Sequence, residues 1–190
     1  MAIQPFRSID VRASSPKVFF LPKSISTYSG HNITLRHVTP EDESFLCGEY
    51  AGARQEELSL LHWDDSMKES FLDMQFNAQH SRLHSVYPDA DYLVLLEDAV
   101  PAGRLYINLS DNYIHIMEIA ILPESRGRGT GTALLLEILK EGERADRTVS
   151  INVEKFNRAL QLYLRLGFVV VDDQGVYLLM KKLPTGDKES

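Results

Sequence analysis

The sequence predicts an α/β fold with a mixed, largely antiparallel central sheet and helices on both of its faces. Short runs of β-branched, aromatic and aliphatic residues alternate with longer segments of helical periodicity. Three of the strand-like runs follow one another at hairpin distances. One apolar run ends at a proline and passes through a glycine-rich turn directly into a helix. The order along the chain reads β-α-α-β-β-β-α-β-α-β-β.

Residues 1–30 read as an extension, interrupted by Pro5, Pro16 and Pro22 and closed by the polar, turn-rich run from Ser24 to Gly30. Within it Val18-Phe19-Phe20-Leu21 is a candidate strand or surface-packing segment. Residues 31–184 read as one domain and residues 185–190 as a polar tail. Ile33 to Val38 reads as a strand, and Thr39-Pro40-Glu41-Asp42 opens a helix with a threonine cap, a proline at the first position and acids in the first turn. Asp64 or Asp65 caps a second helix, whose Met67, Phe71, Met74 and Ala78 recur at helical spacing and are expected to face the core, with a substrate-facing groove as the alternative. Tyr92 to Glu97, Gly103 to Leu109 and Ile114 to Leu122 follow as strands, then a helix from Gly129 to Arg144. Thr148 to Val153 is a strand, Asn157 to Leu166 a helix, and Phe168 to Val171 and Val176 to Lys182 a closing hairpin.

Composition bounds the function. The 190 residues, 44% hydrophobic and 25% charged, fit one globular domain with a substantial core. No apolar run is long enough to cross a bilayer, so no membrane partner is expected. A net charge of −7 argues against nucleic acid. The one cysteine, Cys47, can form neither an intramolecular disulfide nor a cysteine metal cluster, which suits a reducing cytoplasm. No metal site is expected.

The most informative stretch runs from Ile119 to Thr132, IAILPESRGRGTGT. Glycines let backbone N–H groups approach a phosphate closely, and the following helix N-terminus adds partial positive charge. Arg126 and Arg128 can add charge-assisted hydrogen bonds. A nucleoside-triphosphate loop would need Gly-Lys followed by Ser or Thr, and no lysine lies here. A dinucleotide fingerprint would need glycine at position 132, which is threonine.

Arg126-Gly127-Arg128-Gly129-Thr130-Gly131 resembles the Gln/Arg-x-x-Gly-x-Gly/Ala signature of the GNAT acyltransferase superfamily. Phe156 to Phe168, FNRALQLYLRLGF, resembles that family's second motif, with its Asn, Ala, Leu-Tyr and Leu-Gly-Phe elements. One departure is that Phe156 stands where the commoner spacing places the asparagine, and Asn157 follows it. The resemblance implies a GNAT-like fold and acetyl-CoA as cosubstrate, with its pyrophosphate on Arg126, Gly127, Arg128, Gly129, Thr130, Gly131 and Thr132. It further implies a pantetheine contact from Asn157, carbonyl polarisation by the backbone N–H of Ile121 or Leu122, and Tyr163 as acid at the departing sulfur. A phenol with pKa near ~10 can donate to a thiolate whose conjugate acid lies near ~8.5.

Glu118 is the candidate general base. It interrupts the apolar strand Ile114 to Ile121, where burial would raise its pKa; the alternative is a structural glutamate paired with a neighbour such as Arg104. His115 is a second candidate, expected by strict alternation on the opposite face from Glu118. Cys47 could carry the acetyl group in a double displacement, but no paired histidine is evident, and direct attack is expected.

The acceptor is expected to be a primary amine of a small molecule, with a protein N-terminus or lysine, or a non-catalytic acetyl-CoA-binding module, as alternatives. Its contacts are expected between Tyr50 and Pro88, among Trp63, Asp64, Asp65, His80, His84 and Tyr87. The two aspartates also fit a simple capping role. A homodimer is open to the chain, and nothing in the sequence selects the oligomeric state.

Overall fold

The computed structural model of the chain describes residues 21–59 and 61–185. Among these, eight strands form one sheet in the order β1-β2-β3-β4-β5-β6-β8-β7. They are β1 (Ile25–Ser26), β2 (Asn32–His37), β3 (Asp91–Glu97), β4 (Val100–Leu109), β5 (Tyr113–Ile121), β6 (Thr148–Glu154), β7 (Val169–Asp173) and β8 (Tyr177–Lys182). The helices are α1 (Glu43–Ser59), α2 (Asp65–Val86), α3 (Thr130–Arg144) and α4 (Leu160–Arg165). Every pairing is antiparallel except β5 with β6, which α3 connects as a crossover.

α3 and α4 cover one sheet face. Leu134, Leu135 and Ile138 of α3 and Tyr163 of α4 join Leu93, Leu95, Leu105, Ile107, Ile114, Ile116 and Ile151 in the main core. Each such aliphatic side chain contributes roughly 1.5–3 kcal/mol by leaving water. α1 and α2 cover the other face around a smaller cluster of Leu46, Tyr50 and Phe76.

Three element readings change. Residues 21–30 do not stand apart from the body: β1 pairs with β2, and Leu21 and Ile25 are buried in the main core. The Val18 to Phe20 reading lies outside the described residues. Thr39 caps a short 3-10 turn, Pro40–Asp42, that runs into α1, and its N–H donates to Asp42 Oδ2 at 2.8 Å. The stripe Met67, Phe71, Met74, Ala78 is not the core face of α2, because Met67 and Met74 are 53% and 60% exposed. Leu72 and Phe76 face inward instead.

A β-bulge alters β5. Tyr106 pairs with Glu118 but Ile107 pairs with Ile116, so Met117 is the extra residue. Strict alternation fails there: Ile114, Ile116 and Ile119 all pack on the α3 core, while His115 and Glu118 share the opposite face. The expectation that His115 and Glu118 point to opposite faces is therefore wrong.

His115 is 2% exposed, its Nδ1 lies 3.0 Å from Ser150 Oγ, and burial pushes its pKa down to about 4. Between pH 4 and the ordinary value of 6.5 the folded protein thus binds fewer protons at this site than the unfolded chain. Stability from the neutral ring is complete above the unfolded pKa and is lost as pH falls towards the folded one. Urea unfolding at a series of pH values should show a steeper loss below neutrality for wild type than for His115→Gln. Parallel profiles would contradict this.

Candidate active site

The loop after β5 is built to expose backbone N–H groups. Leu122 leads into one 3-10 turn, Pro123–Ser125, and Gly127 and Gly129 then adopt φ of +76° and +85°, a region that strains any residue with a Cβ. Gly129 directly precedes α3, and no side chain caps that helix. The first intrahelical bond runs from Ala133 N–H to the Gly129 carbonyl at 2.8 Å. Among the described residues, no group accepts from the N–H groups of Thr130, Gly131 and Thr132, which an anion would satisfy.

The carbonyl side of the same loop is tied down. Tyr28 in the β1–β2 turn donates its hydroxyl to the Gly127 carbonyl at 3.1 Å, and Ser29 Oγ donates to the Arg128 carbonyl at 2.6 Å. The Tyr28 ring fills the place of a Cβ on Gly129, which would come within 2.1 Å of it. This turn read from sequence as the end of an extension, and only the tertiary fold brings it here.

Both loop arginines are engaged with the protein. Arg128 Nη1 donates to Glu97 Oε2 at 3.0 Å, and Thr130 Oγ1 donates to Glu97 Oε1 at 2.9 Å. Burial acts to raise the Glu97 pKa, but hydrogen bonds from Ser125 and Thr130 and the Arg128 charge outweigh it and hold the carboxyl below its ordinary value. Arg126 Nε donates to the Ile121 carbonyl at 2.7 Å. Through these contacts both side chains brace the loop.

Beside the loop the sheet opens. β5 pairs with β6 only from Tyr113 to Ile116, although both strands continue. The Leu122 N–H donates to the Ala102 carbonyl at 2.9 Å, so it is taken up on the β4 side. By the alternation of an antiparallel ladder, the N–H groups of Ile119 and Ile121 point the other way, into the opening. Of the two polarising groups named from sequence, Ile121 faces the opening and Leu122 does not.

Glu118 lies on the α1–α2 face, where its Oε1 meets Arg104 Nη2 at 2.8 Å and Gln79 Nε2 at 3.4 Å. Arg104 Nη1 also stands 2.8 Å from Glu49 Oε2, an ion pair that is close but off the N–H direction. One buried guanidinium thus serves two carboxylates. Side-chain exposure separates them: 23% for Glu118 against 3% for Glu49, so only Glu118 is reachable from outside. Burial, reinforced by the Glu118 charge and opposed by Arg104, raises the Glu49 pKa. Glu49 was missed, although a charge between Leu46 and Tyr50 on the inward stripe of α1 was a legible signal.

Tyr163 is 4% exposed within the main core, edge-on to Phe168 with ring centroids 5.7 Å apart. Burial pushes its phenol up to about 12, so it holds its proton at neutral pH. It sits on the α3 side of the sheet and Glu118 on the α1–α2 side, so the two can act on one molecule only through the opening between β5 and β6. The helix predicted from Asn157 begins at Leu160, because Asn157 Oδ1 accepts the Ala159 N–H at 2.8 Å and holds a turn. Asn157 is exposed and keeps its amide nitrogen available, while Phe156 is 98% exposed. Cys47 donates to Asp73 Oδ1 at 2.9 Å, and burial with the neighbouring acids pushes its thiol up to about 11. A protonated thiol is a poor nucleophile, in keeping with direct attack.

The residues weighed for acceptor contacts divide. Asp64 caps α2, accepting the Met67 N–H at 2.8 Å, and Trp63 packs edge-on to Phe71 at 5.1 Å. His80 and His84 line a cleft of about 480 Å³ with His37, Pro40 and Tyr92. A second cleft of about 610 Å³ runs between α1 and α2 and carries Glu43, Asp65, Glu69 and Asp73. No group of metal-binding side chains occurs among the described residues, and no helix there is long and apolar enough to cross a membrane.

A PaiA N-acetyltransferase from Thermoplasma acidophilum, solved in complex with coenzyme A, aligns over 80% of this chain and 98% of its own with a TM-score of 0.60 and 19% identity. Mycobacterium smegmatis RimJ, in complex with CoA-disulfide, aligns over 84% and 85% with a TM-score of 0.58 and 16% identity. Arabidopsis thaliana Naa50, in complex with the bisubstrate analogue CoA-Ac-MVNAL, aligns over 79% and 97% with a TM-score of 0.51 and 15% identity. At these identities the likeness is one of fold. No curated protein sequence matches. The family model described as the acetyltransferase (GNAT) domain matches residues 53–177, and the chain belongs to the GNAT acetyltransferase family.

Proposed function

We infer that the protein transfers an acetyl group from acetyl-CoA to a primary amine of a small molecule. The observation that carries this reading is the uncapped start of α3, whose free N–H groups stand beside a sheet opened between β5 and β6. The pyrophosphate takes the N–H groups of the loop from Gly127 to Thr132, the pantetheine arm enters the opening, and Ile121 donates to the thioester carbonyl. Asn157 meets the arm through its amide nitrogen. Coenzyme A or its derivatives bound in the three structural neighbours support this placement.

Attack is direct. The ammonium of the acceptor gives a proton to Glu118, the neutral amine adds to the thioester carbonyl, and the C–S bond breaks. Tyr163 supplies the proton for the departing thiolate, and the second proton, lost from the nitrogen as the adduct collapses, restores the phenol. Arg104 holds Glu118 in place before the acceptor arrives, and Glu49 pairs with the other side of the same guanidinium. A reducing cytoplasm suits the lone thiol of Cys47. A peptide N-terminus is the second reading, favoured by the peptide portion of the analogue bound to Naa50.

Acetyl-CoA affinity tests the cofactor site. Gly129→Glu and Gly131→Glu place bulk and negative charge at the anion position, and both should weaken binding strongly in calorimetry. Gly131→Glu is the milder change in the fold, since its Cβ meets only the flexible end of Ile121, at 3.0 Å. Unchanged affinity in both folded variants would remove the pyrophosphate from this loop.

Turnover tests the chemistry, with coenzyme A release followed across a panel of primary amines and the peptide Met-Val-Asn-Ala-Leu. Glu118→Gln should lose about 10²–10⁴-fold at neutral pH and recover much of it at high pH, where the free amine is already deprotonated. Its melting temperature should fall modestly, because Arg104 retains Glu49. Tyr163→Phe should lower turnover with acetyl-CoA affinity nearly intact. Wild-type turnover in Glu118→Gln would make Glu118 a structural ion-pair partner.

A further inference from the structure

On its protein side Glu118 neighbours side chains with polar atoms that the protein itself leaves unsatisfied. Gln79 Oε1, His80 Nδ1, Arg104 Nε and Tyr106 OH are all buried and have no hydrogen-bond partner among the described residues. They belong to neighbouring side chains. Gln79 and Arg104 both bond Glu118, Tyr106 pairs with Glu118 across β4 and β5, and the His80 and Tyr106 rings lie 6.4 Å apart. Four buried polar atoms without partners carry a substantial desolvation penalty, and ordered water is the ligand small enough to relieve it among packed side chains.

His80 leads outward from this cluster. Its Nε2 lies 3.0 Å from Nε2 of His84, four residues along α2, one N–H donating to the other ring. His84 is exposed, and both rings line the cleft of about 480 Å³. Each imidazole is held in place: His80 stacks on Phe76 with centroids 5.4 Å apart, and His84 stacks on Tyr92 at 3.8 Å. Burial lowers both histidine pKa values, so at neutral pH each ring is neutral, with one nitrogen free to accept a proton and one N–H to give. The titratable and charged groups around His80 are His84 on α2, Glu43 on α1, Tyr92 on β3, Arg104 and Tyr106 on β4, and Glu118 on β5.

We propose that His80 and His84 form a proton relay, bridged by buried water, that carries the acceptor's proton from Glu118 to solvent at the α2 cleft. The need arises because cosubstrate and acceptor together would cover the exposed side of Glu118. The acceptor's ammonium gives its proton to Glu118. Water takes that proton and gives one of its own to Nδ1 of His80, His80 passes its Nε2 proton to Nε2 of His84, and His84 releases its Nδ1 proton to solvent. One proton leaves for each that enters, and Glu118 returns to its carboxylate. Once the products leave and Glu118 again meets solvent, a proton passing inward from His84 through His80 and the water to solvent restores the starting tautomers. His80 and His84 are positioning and conducting residues, and they touch neither substrate.

The relay rests on the reading of Glu118 as base, and the test separates the two. His84→Phe keeps the stack on Tyr92 but ends the relay, so turnover in the full chain should fall about tenfold, less than the loss of the base itself. Added imidazole should restore it in a concentration-dependent way, while Glu118→Gln should not respond. Turnover is read as coenzyme A release with whichever of n-butylamine or Met-Val-Asn-Ala-Leu reacts faster. Independently of any acceptor, nitrogen NMR of histidine-labelled protein should show His80 neutral with its proton on Nε2. A proton on Nδ1, or wild-type turnover in His84→Phe with Glu118→Gln inactive, would overturn the relay and leave the base standing. Full activity in Glu118→Gln would remove both.

Discussion

β5 can satisfy two neighbours only over part of its length, and the site depends on that constraint. Antiparallel pairing with β4 continues to its end, while parallel pairing with β6 stops at Ile116. Beyond that point the backbone groups on one side of β5 have no strand to bind. A sheet interior tolerates such groups only where another ligand takes their place. The α3 crossover that makes β6 parallel also sets an uncapped helix start at the mouth of the opening. One connection therefore creates both the opening in the sheet and the uncapped helix start beside it.

The bulge at Met117 does the corresponding work on the opposite face. It keeps Ile114, Ile116 and Ile119 in the core while turning both His115 and Glu118 under α1 and α2. A carboxylate placed there needs a counter-charge, and Arg104 supplies it from the adjacent strand. Arg104 in turn is too deeply buried for one partner to suffice, and Glu49 completes the set from α1. The helix pair is thus tied to the sheet through charge as well as through Leu46 and Phe76.

Loop bracing shows a related division of labour. Glu97 gathers Arg128 and Thr130, Arg126 reaches back to Ile121, and Tyr28 and Ser29 hold carbonyls on the outer side. With its side chains and carbonyls committed, the loop presents N–H groups in a fixed arrangement, and little ordering remains to be done when an anion binds. Arg126 and Arg128, singled out in the sequence for their charge, each give one guanidinium N–H to the loop's own frame.

By itself the sequence determined the fold class, the element order from β2 onward and the family. Periodicity, hairpin spacing and the Arg-x-x-Gly-x-Gly turn are local signals, each set by residues within a few positions of one another. It also singled out Glu118, since a charge in an apolar strand is conspicuous without a structure. The tertiary structure decided what depends on partners distant in the chain. Strict alternation could not foresee a one-residue bulge, so the face of His115 was misjudged. Methionines at helical spacing could not reveal that Met67 and Met74 lie outward, because the buried face of α2 is set by where α1 and the sheet stand. Glu49, Glu97 and Tyr28 gain their roles from contacts across 31 to 99 positions or between separate elements. Such contacts leave no periodic mark, because burial and charge pairing are settled only when the chain has closed on itself.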